Sequence, residues 1–170
     1  TFQNFFWTKT QVIQPKLLDI GLNKFCSSCL EDKGYWKKNW LLNPLTICLV
    51  HQIDLIEKCP ECCNPLQTSR RSLFKCSTCN FDLRNSQKQQ SSLEDIKINT
   101  WFLESLTGTD ETFNETFFDI WIALTKYFSN LEILKSHSYI LNLCHEYFHN
   151  EDNFITNLIK IIENNLDCAH

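Results

Sequence analysis

Four pairs of potential metal ligands dominate the first half of the 170-residue chain. The pairs are Cys26 with Cys29, Cys48 with His51, Cys59 with Cys62, and Cys76 with Cys79. Two residues separate the members of each pair, a spacing that lets a tight turn aim both side chains at one metal ion. Eight such ligands suffice for two tetrahedral zinc sites, one with three thiolates and an imidazole and one with four thiolates.

The histidine of the second pair favours zinc over a disulfide framework. Zinc accepts thiolate and imidazole alike at about 2.0 to 2.3 Å, whereas a set of disulfides has no use for His51. Disulfides and isolated buried thiols are the alternative interpretations of the ten cysteines. Because two closed four-ligand sites leave no position for a water ligand, we expect two structural zinc ions per chain and no catalytic residues.

The spacing between the pairs does not decide how they share the two ions. Eighteen residues separate the first pair from the second, seven separate the second from the third, and thirteen separate the third from the fourth. Sequential sharing, first with second and third with fourth, gives two successive fingers. A cross-brace would join the first pair with the third and the second with the fourth, with the same ligand chemistry.

Several other residues stand at specific places between and after the ligand pairs. These are Trp36 and Trp40 between the first two pairs, Leu55 after the second, Pro65 and Leu66 after the third, and Asp82, Leu83 and Arg84 after the fourth. With this set, residues 25–84 resemble the TniQ family, the targeting adaptors of DNA transposons related to those guided by sequence-specific proteins or CRISPR effectors.

The resemblance implies both a ligand grouping and a function. The grouping is sequential, with one ion held by Cys26, Cys29, Cys48 and His51 and the other by Cys59, Cys62, Cys76 and Cys79. The implied function is a non-enzymatic adaptor that connects target-site recognition, by DNA-binding elements or a CRISPR effector complex, to the AAA+ ATPase that recruits the transposase. No membrane and no small-molecule substrate is expected for such an adaptor.

Four residues depart from the family pattern. Ser27 stands where the family favours proline, and Gln52, Cys63 and Asn80 stand where it often has glycine after a ligand. Asparagine is the mildest of these changes, because its side chain tolerates the left-handed backbone that such turns require. Cys63 adjoins Cys62, but a slip of one residue would misdirect the turn, so we interpret Cys63 as a non-ligand.

Composition divides the chain into three regions. We expect an extended N-terminal lead in residues 1–23, a tandem zinc-finger region in residues 24–90 and an acidic helical bundle in residues 91–170. The fold class is therefore a small zinc-stabilised α+β module followed by an α-helical bundle. The polar run 85–92 is typical of a linker, and the segment GYWKKNWLL suits either a strand or a short helix.

Apolar periodicity predicts four helices in the last region, at residues 93–106, 111–129, 131–150 and 152–166. The second is dense enough in aromatic residues to be mostly buried in a bundle. No run of about 18 uncharged apolar residues and no signal peptide is visible, and cysteines that serve as ligands suit a reducing, cytoplasmic setting. Since the chain contains no methionine, we expect it to be processed or a fragment of a longer protein.

Charge is unevenly distributed along the chain. Residues 24–90 carry ten Lys or Arg against six Asp or Glu, and residues 91–170 carry four against thirteen. The net charges are therefore +4 and −9, and zinc with its thiolates lowers the first to about +1. An acidic bundle suits a protein partner with a basic surface, or is simply a solvated face.

Basic residues in the finger region are candidates for contact with nucleic acid. The candidates are Lys37, Lys38, Arg70, Arg71, Lys75 and Arg84. Lysines between aromatic residues can meet phosphate while the rings stack on bases, and a basic loop beside a zinc knuckle can do the same. The alternative interpretation is a solvated face over a tryptophan core, so a plain zinc-ribbon nucleic-acid binder is a competing function.

An HExxH motif supplies the competing enzymatic hypothesis. On a helix, His145 and His149 would lie on one face as zinc ligands, with Glu146 as the general base of a metallopeptidase and Glu163 as a third ligand. Against this hypothesis, the motif runs into three polar residues and few residues remain to form a substrate cleft. Polar residues near a helix end are the alternative interpretation.

Overall fold

The structure is a computed structural model that describes residues 17–18, 23–66, 72–107, 111–130 and 136–166. These residues form five α-helices and a two-stranded sheet: α1 (Ser27–Lys33), β1 (Ile47–Cys48), β2 (Ile53–Asp54), α2 (Leu93–Thr107), α3 (Glu111–Asn130), α4 (His137–His149) and α5 (Glu151–Leu166). Short 3-10 helices lie at Lys38–Leu41 and Leu83–Asn85. The described part of the chain is therefore mostly helical with a small sheet.

The first half is built from short pairings between segments. Strands β1 and β2 are antiparallel, with Ile47 opposite Asp54 and Cys48 opposite Ile53. The single pairing of Phe25 with Ile56 adds the segment before α1 to the edge of this sheet. Segments this short form few strand pairings, so the first half depends on side-chain packing, with Phe25, Leu30 and Trp40 among its buried residues.

Lys24 anchors the loop that precedes β1. Its side chain is only 6% exposed, and its ammonium donates hydrogen bonds to the backbone carbonyls of Leu42 at 2.8 Å, Asn43 at 2.8 Å and Leu45 at 2.7 Å. A buried ammonium is stable only when its donors are satisfied, and three carbonyls satisfy all three. Lys24 thus ties the start of the first finger to the end of the 3-10 helix.

The segment whose form the sequence left open is a 3-10 helix at Lys38–Leu41. Trp40 is buried within it, and Trp36 packs between Trp40 and Phe25 at ring-centroid distances of 5.9 and 5.6 Å. Of the predicted N-terminal lead, Leu17, Leu18 and Asn23 are described, and Leu18 pairs with Leu42. Most of the predicted lead lies outside the described residues.

The polar run predicted as a linker lies along β2. The amide of Asp54 donates to the carbonyl of Gln89 at 3.0 Å, and the amide of Ser91 donates to the carbonyl of Gln52 at 3.0 Å. Ser86 is buried at 4% exposure. The run therefore leads directly from the first half into α2.

Helices α2, α3 and α5 lie within one residue of their predicted bounds. The predicted start of the third helix at residue 131 is wrong, since α4 begins at His137. Ser136 has an extended backbone, and its hydroxyl accepts the amide of Tyr139, which makes it the N-cap. Among the described residues, no helix is long and apolar enough to cross a membrane.

An aromatic core holds the helices together, and the predicted second helix, α3, buries one face in it and is not mostly buried. Phe117 and Trp121 of α3 are buried, and Phe117 packs on Phe102 of α2 at a ring-centroid distance of 5.0 Å. Phe148 of α4 lies against Phe113 at 4.9 Å. Helices α2, α3, α4 and the apolar side of α5 thus enclose one hydrophobic interior.

Among the described residues, several polar links join the two halves, including three through side chains. The amide of Thr46 donates to the side-chain oxygen of Asn99, a residue of α2 that is 1% exposed, at 2.9 Å. His137 at the start of α4 lies 3.6 Å from the carboxylate of Glu57. In the third link, Ser91 beside β2 donates to Asp54 at 2.6 Å. Buried hydrophobic residues of both halves belong to one cluster.

Candidate metal centres

The first cluster joins the first and second ligand pairs. The sulfurs of Cys26, Cys29 and Cys48 and a ring nitrogen of His51 all lie within 4.8 Å of one another. Nδ1 of His51 is 3.5 Å from Cys26 Sγ, 3.3 Å from Cys29 Sγ and 3.8 Å from Cys48 Sγ. The three cysteines are buried, and the imidazole is half-buried.

The second cluster joins the third and fourth pairs. The sulfurs of Cys59, Cys62, Cys76 and Cys79 also lie within 4.8 Å of one another. Cys59 Sγ is 3.6 Å from Cys79 Sγ, and Cys62 Sγ is 3.7 Å from Cys76 Sγ. The structure therefore groups the pairs sequentially, as the family resemblance implies.

These distances fit a zinc ion at the centre of each cluster. A tetrahedral ion with Zn–S bonds of about 2.3 Å places its sulfurs about 3.8 Å apart, and a nitrogen ligand shortens that edge to about 3.6 Å. The same distances are far beyond the roughly 2.05 Å of an S–S bond. All eight ligand side chains point toward the centre of their cluster, and none of the cysteines among them forms a disulfide. The two clusters could hold two metal ions, and the sulfur-rich ligand set suggests zinc.

Three of the four pairs lie on the same kind of turn. The amide of the residue after the second ligand donates to the carbonyl of the first ligand at 2.7 to 3.0 Å. That residue has a left-handed backbone in each case, with φ of 54° at Gln52, 56° at Cys63 and 61° at Asn80. These are the positions where the TniQ family often has glycine, so the turns adopt the glycine conformation without the glycine.

The first pair is positioned differently, by a helix. Cys26 is the N-cap of α1, and its sulfur accepts the amide of Cys29 at 3.4 Å. Gly34 ends α1 with a φ of 65°, and a Cβ atom there would lie 3.3 Å from the ring of Phe74. Gly34 therefore provides both the left-handed stop and the close approach of the two finger segments.

Asp32 is a residue that the sequence did not identify. Nε2 of His51, the ring nitrogen that faces away from the sulfurs, lies 2.8 Å from a carboxylate oxygen of Asp32. A carboxylate in this place accepts the Nε2–H proton, leaves Nδ1 as the metal ligand and orients the ring. Asp32 belongs to α1, which also carries Cys29, so the helix supplies both a ligand and its support.

Hydrogen bonds and burial give the cysteines within each cluster different pKa values. The hydrogen bond with Cys26, aided by the amides of His51 and Val50, lowers the pKa of Cys48 to about 4 despite its burial. Burial raises the pKa of Cys76, but the amides of Cys79 and Thr78 outweigh it and bring that pKa to about 6. The hydrogen bond with Cys48 raises the pKa of Cys26, and burial raises the pKa of Cys59, so one thiol in each cluster ionises more readily than its neighbour.

The candidate nucleic-acid residues are dispersed over the first half. Arg84 is already engaged within the chain, because it bonds Asp82 through Nε at 3.0 Å and a terminal nitrogen at 2.6 Å. This pairing lowers the pKa of Asp82 to about 2. The Lys37 ammonium lies 6.0 Å from the Trp40 ring. The remaining candidates are Lys38 and Lys75, both exposed, and Arg70 and Arg71, which lie outside the described residues.

The HExxH residues lie on α4, and the described part of the chain places no third ligand beside them. The rings of His145 and His149 are 4.4 Å apart and both contact Trp101. The carboxylate of Glu146 accepts two hydrogen bonds from the Asn157 amide, at 2.9 and 3.0 Å. Glu163 is exposed on α5. Among the described residues, the two cysteine-containing clusters are the groups with three or more potential ligands.

Comparison with models of protein families finds no match to this chain, and comparison with curated proteins finds none either.

Proposed function

We propose that this chain is a zinc-stabilised adaptor of the TniQ type, in which two structural zinc ions hold tandem fingers and the protein performs no chemistry of its own. The observation that carries the proposal is the pair of four-ligand clusters with tetrahedral spacing. In such a site every coordination position belongs to the protein, so the ion contributes folding free energy rather than catalysis.

Each cluster lies close to a polar link with the helical half. Cys48 is a ligand of the first cluster and ends β1, two residues beyond the Thr46 amide that bonds Asn99 of α2. Glu57 lies two residues before Cys59 of the second cluster and faces His137 at the start of α4. Metal binding would therefore also fix the position of the helices relative to the first half, and a docking scaffold requires such fixed positions.

The proposed partners follow from the family resemblance. One is the AAA+ ATPase that regulates transposition, and the other is the target-site complex, either DNA or a CRISPR effector. The acidic helical half, with a net charge of −9 over residues 91–170, suits a basic protein surface and is repelled by nucleic acid. We therefore assign protein contacts to the helical half and any nucleic-acid contact to the finger half.

The adaptor proposal is tested by purifying the tagged full-length protein from its host and identifying the proteins that accompany it. We expect an AAA+ ATPase to be retained, and to be lost with the double variant Cys59→Ser, Cys76→Ser, which removes the second zinc site. Retention should persist with Cys63→Ser, a matched cysteine change outside the ligand set. Absence of an ATPase together with affinity for bare DNA would favour a zinc-ribbon nucleic-acid binder.

Nucleic-acid contact by the finger loop is tested by the salt dependence of DNA binding. If Arg70 and Arg71 each neutralise a phosphate, changing both to alanine should reduce the slope of log affinity against log salt by about 2. The control is Lys160→Ala, which removes a positive charge from α5 and should leave the slope unchanged. An unchanged slope in the double variant removes both arginines from the interface.

A further inference from the structure

Helix α5 has two apolar faces, and one of them remains exposed. Phe154, Leu158 and Ile161 pack against the hydrophobic core. Ile155, Ile159 and Ile162 do not, and their exposed fractions are 46%, 48% and 39%. Large aliphatic side chains this exposed are ordinary when scattered, but three on one helix form a patch that calls for an explanation.

The three exposed isoleucines form a continuous stripe. Their spacing of four and then three residues places them on one side of a helix that turns about 100° per residue, over a length of about 10 Å. Tyr147 of α4 is 39% exposed, and its ring packs edge-on against Phe154 at 5.4 Å. Phe154 lies about 100° around α5 from Ile155, so Tyr147 covers a neighbouring face of the helix and is not part of the exposed set. We call Ile155, Ile159 and Ile162 the isoleucine stripe.

Carboxylates border the isoleucine stripe on both sides. At about 100° per residue, Asp152 and Glu163 lie along one edge of the stripe and Glu151 lies along the other. All three are exposed. Lys160, the single Lys or Arg in the α5 sequence, follows Ile159 and therefore projects about 100° away from it. The surface thus combines an apolar centre with a negative border.

We propose that the isoleucine stripe docks an amphipathic helix of a partner protein whose own apolar face is bordered by Lys or Arg. A helix fits because two turns of regularly spaced isoleucines offer the ridge that a second helix packs against. Basic borders fit because they pair with Asp152, Glu163 and Glu151, and they set the partner's orientation. The surface lies apart from the metal clusters, so the inference stands whether or not the protein acts in transposition.

A second copy of the chain is a poor occupant of the same surface. Antiparallel pairing of two isoleucine stripes would bring the border with Asp152 and Glu163 against its own counterpart. Like charges that face each other across an interface oppose association. A partner helix with positively charged borders suits both the apolar stripe and the carboxylates beside it.

The test measures binding of a labelled synthetic peptide to the full zinc-loaded chain by fluorescence anisotropy. The peptide is an 18-residue helix former with leucines at i, i+3, i+4 and i+7 repeats and lysines along both borders. We expect saturable binding that weakens about tenfold or more with the double variant Ile155→Ser, Ile159→Ser. Both side chains are exposed, so the variant should fold, which circular dichroism checks. Asn153→Ser, an exposed position on another side of α5, should bind as the native chain does.

Two control peptides and one control measurement complete the test. A peptide with the same leucine stripe but glutamate borders, and a peptide with the same lysines but scrambled leucines, should both bind at least about tenfold more weakly. Equal binding of the scrambled peptide would mean unspecific charge attraction and would overturn the proposal. Sedimentation should show a monomer, whereas a dimer that the double variant abolishes would assign the stripe to a second copy and also overturn it.

Discussion

Three residues of the finger half occupy a backbone conformation that costs free energy for any side chain with a Cβ atom. Gln52, Cys63 and Asn80 each follow the second ligand of a pair and have φ between 54° and 61°. The left-handed region costs an L-residue roughly 1 to 2 kcal/mol. Such strain persists only when the surroundings enforce it, and the shared task of these turns is to aim two ligands at one point.

The first prediction concerns Cys63, the cysteine interpreted as a non-ligand. Changing Cys63 to glycine should raise the free energy of unfolding by about 0.5 to 1 kcal/mol, because glycine adopts this φ without strain but loses more entropy on folding. Urea unfolding in a fixed excess of free zinc measures the change. Cys63→Ser retains the strain and should be neutral. Loss of a zinc ion in either variant would show that Cys63 is a ligand.

A second prediction concerns Asp32, the carboxylate behind His51. Replacement of Asp32 by alanine should weaken the first zinc site by about 10- to 100-fold, because the imidazole loses the partner that fixes its tautomer and ring orientation. Competition with a zinc chelator measures the affinity. The neighbouring Glu31, which pairs with Lys88 at 2.7 Å, provides the control, and Glu31→Ala should have little effect. The same loss in both variants would mean that only surface charge matters.

At the level of elements, a buried side-chain amide links the first half to α2. The side chain of Asn99 accepts the Thr46 amide at 2.9 Å and donates to the carbonyl of Asp95 at 2.9 Å. An amide side chain can do both at once, whereas an apolar residue would leave the Thr46 amide without a partner. Asn99 thereby connects β1, which carries a metal ligand, to the helical half.

The third prediction tests that junction. Asn99→Ala should lower the free energy of unfolding by about 1 to 3 kcal/mol, since a buried amide group loses its partner. Thr100→Ala is the matched control, because the Thr100 hydroxyl donates only within its own helix, to the carbonyl of Ile96 at 2.8 Å. That variant should stay within about 0.5 kcal/mol of the native chain. Equal effects of the two substitutions would contradict a special role for Asn99.

The periodicity of apolar residues in the sequence predicted the helices whose apolar faces pack against the common core. Helices α2, α3 and α5 follow this pattern, since their buried positions recur every three or four residues. The start of α4 was not predicted, because it is set by the cap at Ser136 and apolar periodicity alone does not show where a helix begins. Helix α1 was also missed, because its start depends on the Cys26 sulfur as a cap and not on periodicity.

The candidate metal sites were also predictable only in part. Ligand identity was predictable, because zinc chemistry fixes residue types and local spacing. The supporting groups were not, because Asp32 acts on His51 and Lys24 acts on carbonyls of residues 42–45, and these pairs are separated in sequence by about twenty residues. Only the folded chain brings them together.

In the whole molecule, residues 24–90 (the finger half) and residues 91–170 (the helical half) share one hydrophobic cluster and have net charges of opposite sign. The strands and turns of the finger half are short, and its buried apolar residues share one core with the helices. We propose that metal binding adds to the stability of that half and that the helical half supplies the surface that partners contact.

The zinc content of the purified full chain, measured by native mass spectrometry, tests this account most directly. We expect two ions per native chain, one ion in the double variant Cys59→Ser, Cys76→Ser, and two ions in the double variant His145→Ala, His149→Ala. A chain without bound zinc, or with a third ion that disappears when His145 and His149 are replaced, would contradict it.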